Sequence, residues 1–437
     1  MTDLAAHAVV APSRAGVRAL LGTETAVVRV ALAVVALHVV DDAFLQPGPG
    51  NSAADHVAGG LVPLALLIGV AVVYPRLRAG FRACLALGFG VLAITTGTEA
   101  AYYATHGGMS GDDYTGLLTV PAGLVLLGVG IVTLWRSRRT DDRRLWRYVR
   151  RVLLTVAGLL VVGLVLFPIS LGYVVTHTAR AEVPKAELGA KYENVAFTTS
   201  DGLRLKGWFI PPKNGAVVIA FPGRAGPQKQ ARMLAAHGYG VLLFDRRGEG
   251  ESEGDPNVFG WDGARDLHAA VAYLRTRPDV DPERIGAIGL SVGGEMLIQA
   301  AAESDELAAI VSEGGSGRSI RDDYANSRGV QAKAGVIASP LPVIALATAV
   351  FTDGLPPPSL ESLVRRIDST AVFFIFATHG QGGSERAPNR HFYAAAHEPK
   401  EIWEVPVGDH IGGITARPAE YEQRVLRFFD RELLEQS

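Results

Sequence analysis

Cysteine is almost absent from this chain of 437 residues, since the only one is Cys84, inside an apolar segment. A single cysteine cannot form an intrachain disulfide, and no cysteine pair or histidine cluster has the spacing of a structural zinc site. A large excess of one charge is also missing, because the formal net charge at pH 7 is −2. That balance argues against a nucleic-acid partner. The sequence implies neither a metal nor a cofactor.

Long apolar runs are present, and they are concentrated in the N-terminal part of the chain. The mean hydropathy of the whole chain is +0.21, which is high for a soluble protein. Five apolar stretches have roughly the length that crosses a bilayer, at about 26–45, 61–74, 81–103, 117–135 and 152–175. We therefore predict a cytoplasmic segment at 1–25, followed by a five-span transmembrane region at 26–176.

Lysine and arginine are missing from two of the connections between these stretches, 46–57 and 106–114. The other two connections, 75–82 and 136–151, contain several arginines. Because cytoplasmic loops carry the excess of basic residues, this alternation predicts a cytoplasmic N-terminus and an extracytoplasmic chain after about His177. A cleaved signal peptide in place of the first span is the alternative, and it leaves the C-terminal half on the same side.

Four ionisable residues interrupt these apolar stretches: His38, Asp41 and Asp42 late in the first, and Glu99 late in the third. Ionisable side chains at membrane depth are functional candidates. All four lie near the ends of their spans, where the cost of burial is small. We therefore interpret them as interfacial side chains or as pairs within the helix bundle.

Short apolar runs alternate with helical patterns in the C-terminal part, after a polar linker at 177–191. The predicted strands are 194–199, 203–210, 216–221, 240–244, 285–290, 307–311, 372–377 and 402–405. Strands that alternate with helices indicate a parallel sheet with helices on both faces. The turn Ser200-Asp201-Gly202 adds an antiparallel hairpin at one edge. We predict a single α/β domain over 192–437.

A serine motif, Gly289-Leu290-Ser291-Val292-Gly293, lies between the strand at 285–290 and a helical pattern at 295–303. Strand, tight turn and helix are the context in which a G-x-S-x-G motif presents a nucleophile. The turn is so tight that the residues two before and two after the serine must be small, as Gly289 and Gly293 are. Ser291 is therefore the candidate nucleophile.

Two further motifs accompany the serine. The segment 200–208 has the sequence SDGLRLKGW, and the turn at 245–252 has the sequence DRRGEGES. Together with the serine motif, they resemble the α/β-hydrolase superfamily, above all its membrane-anchored bacterial members near the serine-peptidase and esterase branches. The resemblance covers about 192–429 and does not extend to the spans. It implies an α/β-hydrolase fold with a mostly parallel sheet and a cap insertion at about 314–368.

A serine hydroxyl is a weak nucleophile, so it needs a base within hydrogen-bond reach and a third group that orients the base. His410, in the loop after the last strand, is the candidate base. Glu385 is the only carboxylate in the loop that follows the strand at 372–377, and we assign it the acid role in the order serine, acid, histidine. Glu313, after the strand at 307–311, stays the alternative acid.

An oxyanion hole needs two backbone N–H groups directed at the developing negative charge. One is expected from Val292, directly after the nucleophile. By resemblance to the H-G-x-x-G loop of the superfamily, the other is expected from Arg224 in the loop 222–226, where Pro222 replaces the usual histidine. The Arg224 side chain either binds an anionic substrate group or is solvated.

The predicted cap contains an apolar run at 334–351, interrupted by Pro340 and Pro342. A sixth crossing at this run would place Ser291 and His410 on opposite sides of the membrane, so none is predicted. The run is either a hydrophobic lid that dips into the lipid surface or a buried cap helix.

These observations predict an integral-membrane serine hydrolase with its catalytic domain outside the cytoplasm. It would act through an acyl-enzyme on a small-molecule ester or a lipid-like substrate, with membrane lipid as the other expected partner. The apolar lid favours an ester over a peptide. A serine peptidase or amidase of the same fold, and a non-catalytic binding or sensor protein, are the alternatives. The oligomeric state is left open.

Overall fold

The computed structural model describes residues 14–106, 108–137 and 144–435, with side chains from residues 22 and 145 onward in the first and last of these ranges. The chain divides into two compact units. The first consists of Met1–Gln46 and Gly59–Val162, and the second of Pro47–Ala58 and Gly163–Ser437. Of the predicted cytoplasmic segment 1–25, the first 13 residues lie outside the described part. The predicted linker, 177–191, falls within the second unit.

The N-terminal part of the chain is helical. Its α-helices are α1 (Arg14–Val40), α2 (Val57–Val73), α3 (Ala79–Thr96), α4 (Thr98–His106), α5 (Asp113–Arg136), α6 (Arg144–Val161) and α7 (Phe167–Val174). Among the described residues, four helical stretches are long and apolar enough to cross a membrane: Ala53–Arg76, Ala79–His106, Asp113–Arg136 and Leu145–Val174. They coincide with the second to fifth predicted spans. The first predicted span, 26–45, lies on α1 and the π-helical turn Asp41–Leu45 and is not one of the four.

Small residues allow α3 and α5 of the first unit to pack closely. A Cβ atom on Gly123 would lie 2.7 Å from the carbonyl oxygen of Gly90, so both helices need glycine at this crossing.

The polar residues late in the first predicted span make contacts within the same unit. Asp41 accepts a hydrogen bond from the Thr115 hydroxyl at 2.7 Å, and Nδ1 of His38 lies 3.3 Å from that hydroxyl.

The second unit is built on one sheet of eight strands. They are β1 (Glu193–Thr198), β2 (Arg204–Ile210), β3 (Val217–Phe221), β4 (Gly240–Phe244), β5 (Ile285–Leu290), β6 (Ala309–Glu313), β7 (Ala371–Ala377) and β8 (Lys400–Val405). Their order across the sheet is β1-β2-β4-β3-β5-β6-β7-β8. Strand β2 runs antiparallel to both of its neighbours, β1 and β4, and β3 to β8 are parallel to one another. The predicted α/β fold with a mostly parallel sheet is therefore confirmed.

Helices cover both faces of this sheet. They are α8 (Gln228–Ala236), α9 (Gly263–Arg275), α10 (Val292–Glu303), α11 (Ile320–Asn326), α12 (Gly329–Ala338), α13 (Leu341–Phe351), α14 (Leu360–Val364), α15 (Arg386–Ala395), α16 (Gly413–Ala416) and α17 (Pro418–Phe429). One core cluster joins α9, α10, α14 and α15 to the sheet, and a second joins α8 and α17. Every residue of the central strands β3 to β7 is buried, because strands covered on both faces need continuous apolar runs.

The cap is the insertion between β6 and β7, and it contains α11 to α14. Its two ends are held together by Asp322 of α11, which is 2% exposed. One carboxylate oxygen of Asp322 accepts the N–H of Leu360 at 2.6 Å, and the other accepts the N–H groups of Arg318 and Ser319 at 3.0 and 3.1 Å. The chain therefore leaves the sheet and returns to it at one point.

We expect Asp322→Asn to destabilise the second unit by about 2–3 kcal/mol, because an amide nitrogen would face buried N–H donors that need an acceptor. The measurement is thermal unfolding of the detergent-purified protein. Asp323→Asn is the matched control, since Asp323 is the exposed neighbour on the same helix. Equal melting temperatures for the two variants would contradict the role given to Asp322.

Candidate active site

Ser291 occupies a strained turn between β5 and α10. Its backbone has φ 52° and ψ −124°, and a non-glycine residue in such a conformation costs about 1–3 kcal/mol. Side chains are excluded on both sides of the turn. A Cβ atom on Gly289 would lie 2.5 Å from the carbonyl carbon of Gly293, and one on Gly293 would lie 2.5 Å from Cδ of Pro222. The two glycines therefore make room for the turn that presents the serine.

Three of the residues singled out in the sequence lie together in one hydrogen-bonded chain. Nε2 of His410 is 2.8 Å from Oγ of Ser291, and Nδ1 of His410 is 2.5 Å from Oε1 of Glu385. The side chain of Glu385 is fully buried, and that of His410 is 26% exposed. In the tautomer that suits this arrangement, Nδ1–H donates to Glu385 and Nε2 accepts from the serine hydroxyl. The three residues follow three different strands, β5, β7 and β8.

The position of Glu385 depends on its immediate surroundings. It directly precedes α15, and its Oε2 accepts the N–H of Ala377 at 3.3 Å. Any Cβ atom at Gly380 would overlap the Glu385 carboxylate, so this position must be glycine. Asn389, also fully buried, donates to the carbonyl oxygens of Gly315 at 2.8 Å and of Glu385 at 2.9 Å. It thus ties the start of α15 to the loop after β6.

The alternative acid, Glu313, is engaged elsewhere. It is the last residue of β6, although the sequence placed it in the loop after a strand at 307–311. Its Oε1 accepts the N–H of Gly413 at 2.9 Å, and its Oε2 accepts the hydroxyl of Tyr421 at 2.7 Å. Burial raises the pKa of Glu313, against the effect of these two bonds. Glu313 therefore supports the chain just after His410, while Glu385 is the carboxylate bonded to the ring.

The two expected oxyanion donors differ in their surroundings. Val292 is the first residue of α10, and the first N–H groups of a helix have no acceptor within the helix. The N–H of Arg224, by contrast, donates to Oδ1 of Asp245 at 3.0 Å. This donor is already engaged, so an oxyanion would have to compete with the Asp245 carboxylate for it. The sequence pattern did not reveal this because Asp245 lies 21 residues further along.

The Arg224 side chain is neither solvated nor available to a substrate anion. It is 3% exposed, and its Nε and Nη2 donate to Oδ2 of Asp245 at 2.9 and 2.5 Å. Nη2 also donates to Glu251 at 3.0 Å. Burial alone would lower the pKa of Arg224, but the bonds to the two carboxylates outweigh it and raise the pKa. The Arg224 side chain therefore neither binds a substrate anion nor faces solvent, the two alternatives from the sequence, but forms an ion pair inside the domain.

Negative charge around His410 favours its protonated form. The hydrogen bond to Glu385 raises the pKa of His410 above its ordinary value, burial opposes that rise, and the charges of Glu385 and Glu295 add to it. Glu295, in the first turn of α10, accepts the N–H groups of Ser316 and Gly317 at 2.8 and 2.7 Å.

Within the described ranges, no group of three or more His, Cys, Asp or Glu side chains is arranged to hold a metal ion.

Sequence reasoning missed several residues that shape this site. Gly380 was visible as part of a glycine-rich loop, but its contact with the carboxylate depends on the fold. Asn389 and Tyr421 had no signal, because their contacts with Gly315 and Glu313 join residues far apart in the sequence. Gln381 was also missed, and its amide nitrogen lies 3.3 Å from Nε2 of His410.

Comparison with known proteins gives one family match and several relatives. A model of the family described as X-Pro dipeptidyl-peptidase (S15 family) matches residues 176–351, which include Ser291 but end before Glu385 and His410. The protein YfhR of Salmonella typhimurium is 30% identical over 258 residues, which cover 56% of this chain and 83% of YfhR. The polyketide transferase grgF of a Penicillium species is 35% identical over 127 residues, covering 27% of this chain and 43% of that protein.

Among solved structures, the esterase Pf2001 of Pyrococcus furiosus is similar to this chain. It is 22% identical, with 58% of this chain and 97% of the esterase covered and a TM-score of 0.47. The relation to YfhR extends over most of that protein's length. The chain belongs to the same family as YfhR, and its second unit has the α/β-hydrolase fold.

Proposed function

We propose that this protein is a membrane-anchored serine hydrolase that cleaves carboxylic esters through an acyl-enzyme on Ser291. The observation that carries the proposal is the continuous chain from Oγ of Ser291 through both ring nitrogens of His410 to Glu385, at 2.8 and 2.5 Å. A nucleophile, a base and a group that orients the base are the parts that activation of a serine hydroxyl needs.

Each group has a defined step in this reaction. Oγ of Ser291 attacks the ester carbonyl carbon while Nε2 of His410 takes the hydroxyl proton, and Glu385 stabilises the imidazolium that results. The N–H of Val292 donates to the carbonyl oxygen as it becomes negative. The imidazolium then protonates the leaving alkoxide, and the acyl group stays on Oγ. Water, deprotonated by Nε2, attacks the acyl carbon, the bond to Oγ breaks, and the proton returns to the serine.

A serine peptidase or amidase is the second candidate, because the family model that matches residues 176–351 is described as a dipeptidyl-peptidase family. The same three residues serve amide hydrolysis, and only the leaving group differs. A dipeptidyl-peptidase needs a free carboxylate for the substrate's ammonium group. Near Ser291, however, Glu295 and Glu313 are occupied by backbone and tyrosine donors. We therefore favour an ester substrate over a peptide. A protein that only binds its ligand would not need the hydrogen bonds that join Ser291, His410 and Glu385, so we also favour an enzyme over a binding protein.

Membrane anchoring is supported by the four helical stretches that are long and apolar enough to cross a bilayer. The arginine-rich connections at 75–82 and 136–151 support an orientation in which the hydrolase domain lies outside the cytoplasm. The ester substrate would then be met on the extracytoplasmic side.

A fluorophosphonate probe should label the wild-type protein, because an activated serine attacks phosphorus as it attacks a carbonyl carbon. Ser291→Ala should lose the label, and Ser316→Ala, which changes a serine in a neighbouring loop, should keep it. With the same samples, p-nitrophenyl esters should be hydrolysed faster than proline p-nitroanilides. Lack of labelling of folded wild-type protein would contradict the proposal, and faster anilide hydrolysis would favour the peptidase.

The pH dependence of ester hydrolysis should identify the acid. His410 must be neutral to act as a base, so kcat/KM should rise as pH increases through its raised pKa. Glu385→Gln removes the cause of that rise, so the acid limb should move to lower pH while kcat falls roughly 100- to 10,000-fold. Glu313→Gln is the matched control and should leave the acid limb in place. The opposite pattern would make Glu313 the acid.

The proposed orientation predicts which cysteines a membrane-impermeant maleimide reaches in intact cells. In a background with Cys84→Ala, Glu398→Cys should be labelled in intact cells, because Glu398 is an exposed residue of the hydrolase domain. Arg78→Cys, in the arginine-rich connection before α3, should be labelled only after lysis. The reverse pattern would show that the catalytic domain faces the cytoplasm.

A further inference from the structure

The cap presents an apolar surface that its own domain does not cover. Helices α12 and α13 form a kinked pair, Gly329–Ala338 and Leu341–Phe351, bent by 50° at the break. Lys333 is the only charged residue between 329 and 351. The side chains of Val330, Ile337 and Leu346 are 86%, 60% and 66% exposed, and none of the residues of α12 is buried. A buried cap helix, one of the two alternatives from the sequence, is therefore excluded for α12.

The kinked pair must leave and return on the same side of any membrane that it meets. The strands on either side of the cap, β6 and β7, are parallel neighbours in one sheet. The hydrogen bond from Leu360 to Asp322 also joins the beginning of the cap to its end. A single crossing by α12 and α13 is incompatible with both constraints. An apolar element fastened in this way is monotopic.

The contacts of α13 show which surface lies next to it. It packs against α7, where a Cβ atom on Gly172 would lie 2.5 Å from Cβ of Ala347. The rings of Tyr173 and Phe351 make an edge-to-face contact at 5.3 Å. Helix α7 is the last part of Leu145–Val174, a 30-residue helical stretch that is apolar enough to cross a membrane. The kinked pair is therefore continuous with the end of a membrane span.

The chain just after α13 also contacts the start of a second candidate span. Asp353, two residues after α13, accepts the N–H of Ala58 at 2.8 Å. Ala58 lies near the start of the helical stretch Ala53–Arg76, which also qualifies as a span. His56 in that stretch bonds to Asp255 of the hydrolase domain at 2.6 Å. The cap and its domain therefore contact the terminal residues of two candidate spans.

We propose that the kinked pair α12–α13 is a monotopic membrane element that lies in the leaflet on the hydrolase side of the bilayer. The partner of its exposed apolar surface is phospholipid, not a second protein. This inference rests on the proposed membrane anchoring but not on catalysis. The cap begins at Ser316, which is bonded to Glu295 four residues after Ser291. The cap that contains the membrane element therefore starts beside the candidate active site.

The test uses the full chain in phosphatidylcholine vesicles that contain a nitroxide-labelled lipid. In the Cys84→Ala background, single variants Ile337→Cys and Leu346→Cys carry a polarity-sensitive fluorophore. Leu159→Cys, in an exposed position of the last candidate span, is the positive reference, and Glu398→Cys is the negative one. Each variant is first checked for folding by circular dichroism and size-exclusion chromatography, and quenching is also measured after Ser291→Ala, so the readout does not depend on turnover.

Quenching at Ile337 and Leu346 comparable to that at Leu159, with none at Glu398, is the expected result. If Leu159 is quenched while both cap positions resemble Glu398, the anchoring stands and the monotopic element is refuted. If Leu159 is not quenched either, the anchoring and the inference fail together.

Discussion

The register of the parallel strands is the constraint on which the rest of the site depends. Leu290, Glu313 and Ile375 form one row across β5, β6 and β7, and Ala377 pairs with Val405 of β8. The strands therefore end at a common edge, and the segments that carry the candidate nucleophile, acid and base all begin there. Hydrogen bonds of 2.8 and 2.5 Å tolerate little displacement. A slip of one residue in a single strand would turn its side chains to the other face and separate the three groups.

Buried carboxylates hold the loops that extend beyond this edge. Glu313 joins the end of β6 to the N–H of Gly413 and the hydroxyl of Tyr421, and its own carbonyl oxygen accepts the N–H of Ser291 at 2.7 Å. Glu313 thus contacts both the turn at Ser291 and the chain just after His410. Glu295 holds the first residues of the cap by accepting the N–H of Ser316, and Asp322 joins the two ends of the cap. A buried carboxylate without its donors would be costly, so each of these residues specifies one arrangement of the surrounding backbone.

The sequence predicted those features whose signals are local. The strands and the turn at Ser291 follow from runs of apolar residues and from glycines two positions on either side, and His410 follows from its place after the last strand. The choice of acid stayed open, because it depends on Gly380 and on α15, which the sequence reasoning did not identify. The ion pair of Arg224 with Asp245 was missed for a similar reason, since its partners belong to different strand ends. Long-range contacts of this kind leave no periodic pattern in the chain.

The proposed ester hydrolysis depends on acylation of Ser291. The most direct measurement is mass spectrometry of the intact protein, quenched during turnover of a slowly deacylated p-nitrophenyl ester and followed by peptide mapping. We expect a mass increase equal to the acyl group, located on the peptide that contains Ser291 and absent from Ser291→Ala. Ester turnover with the acyl group on another residue, or turnover that persists in Ser291→Ala, would contradict it.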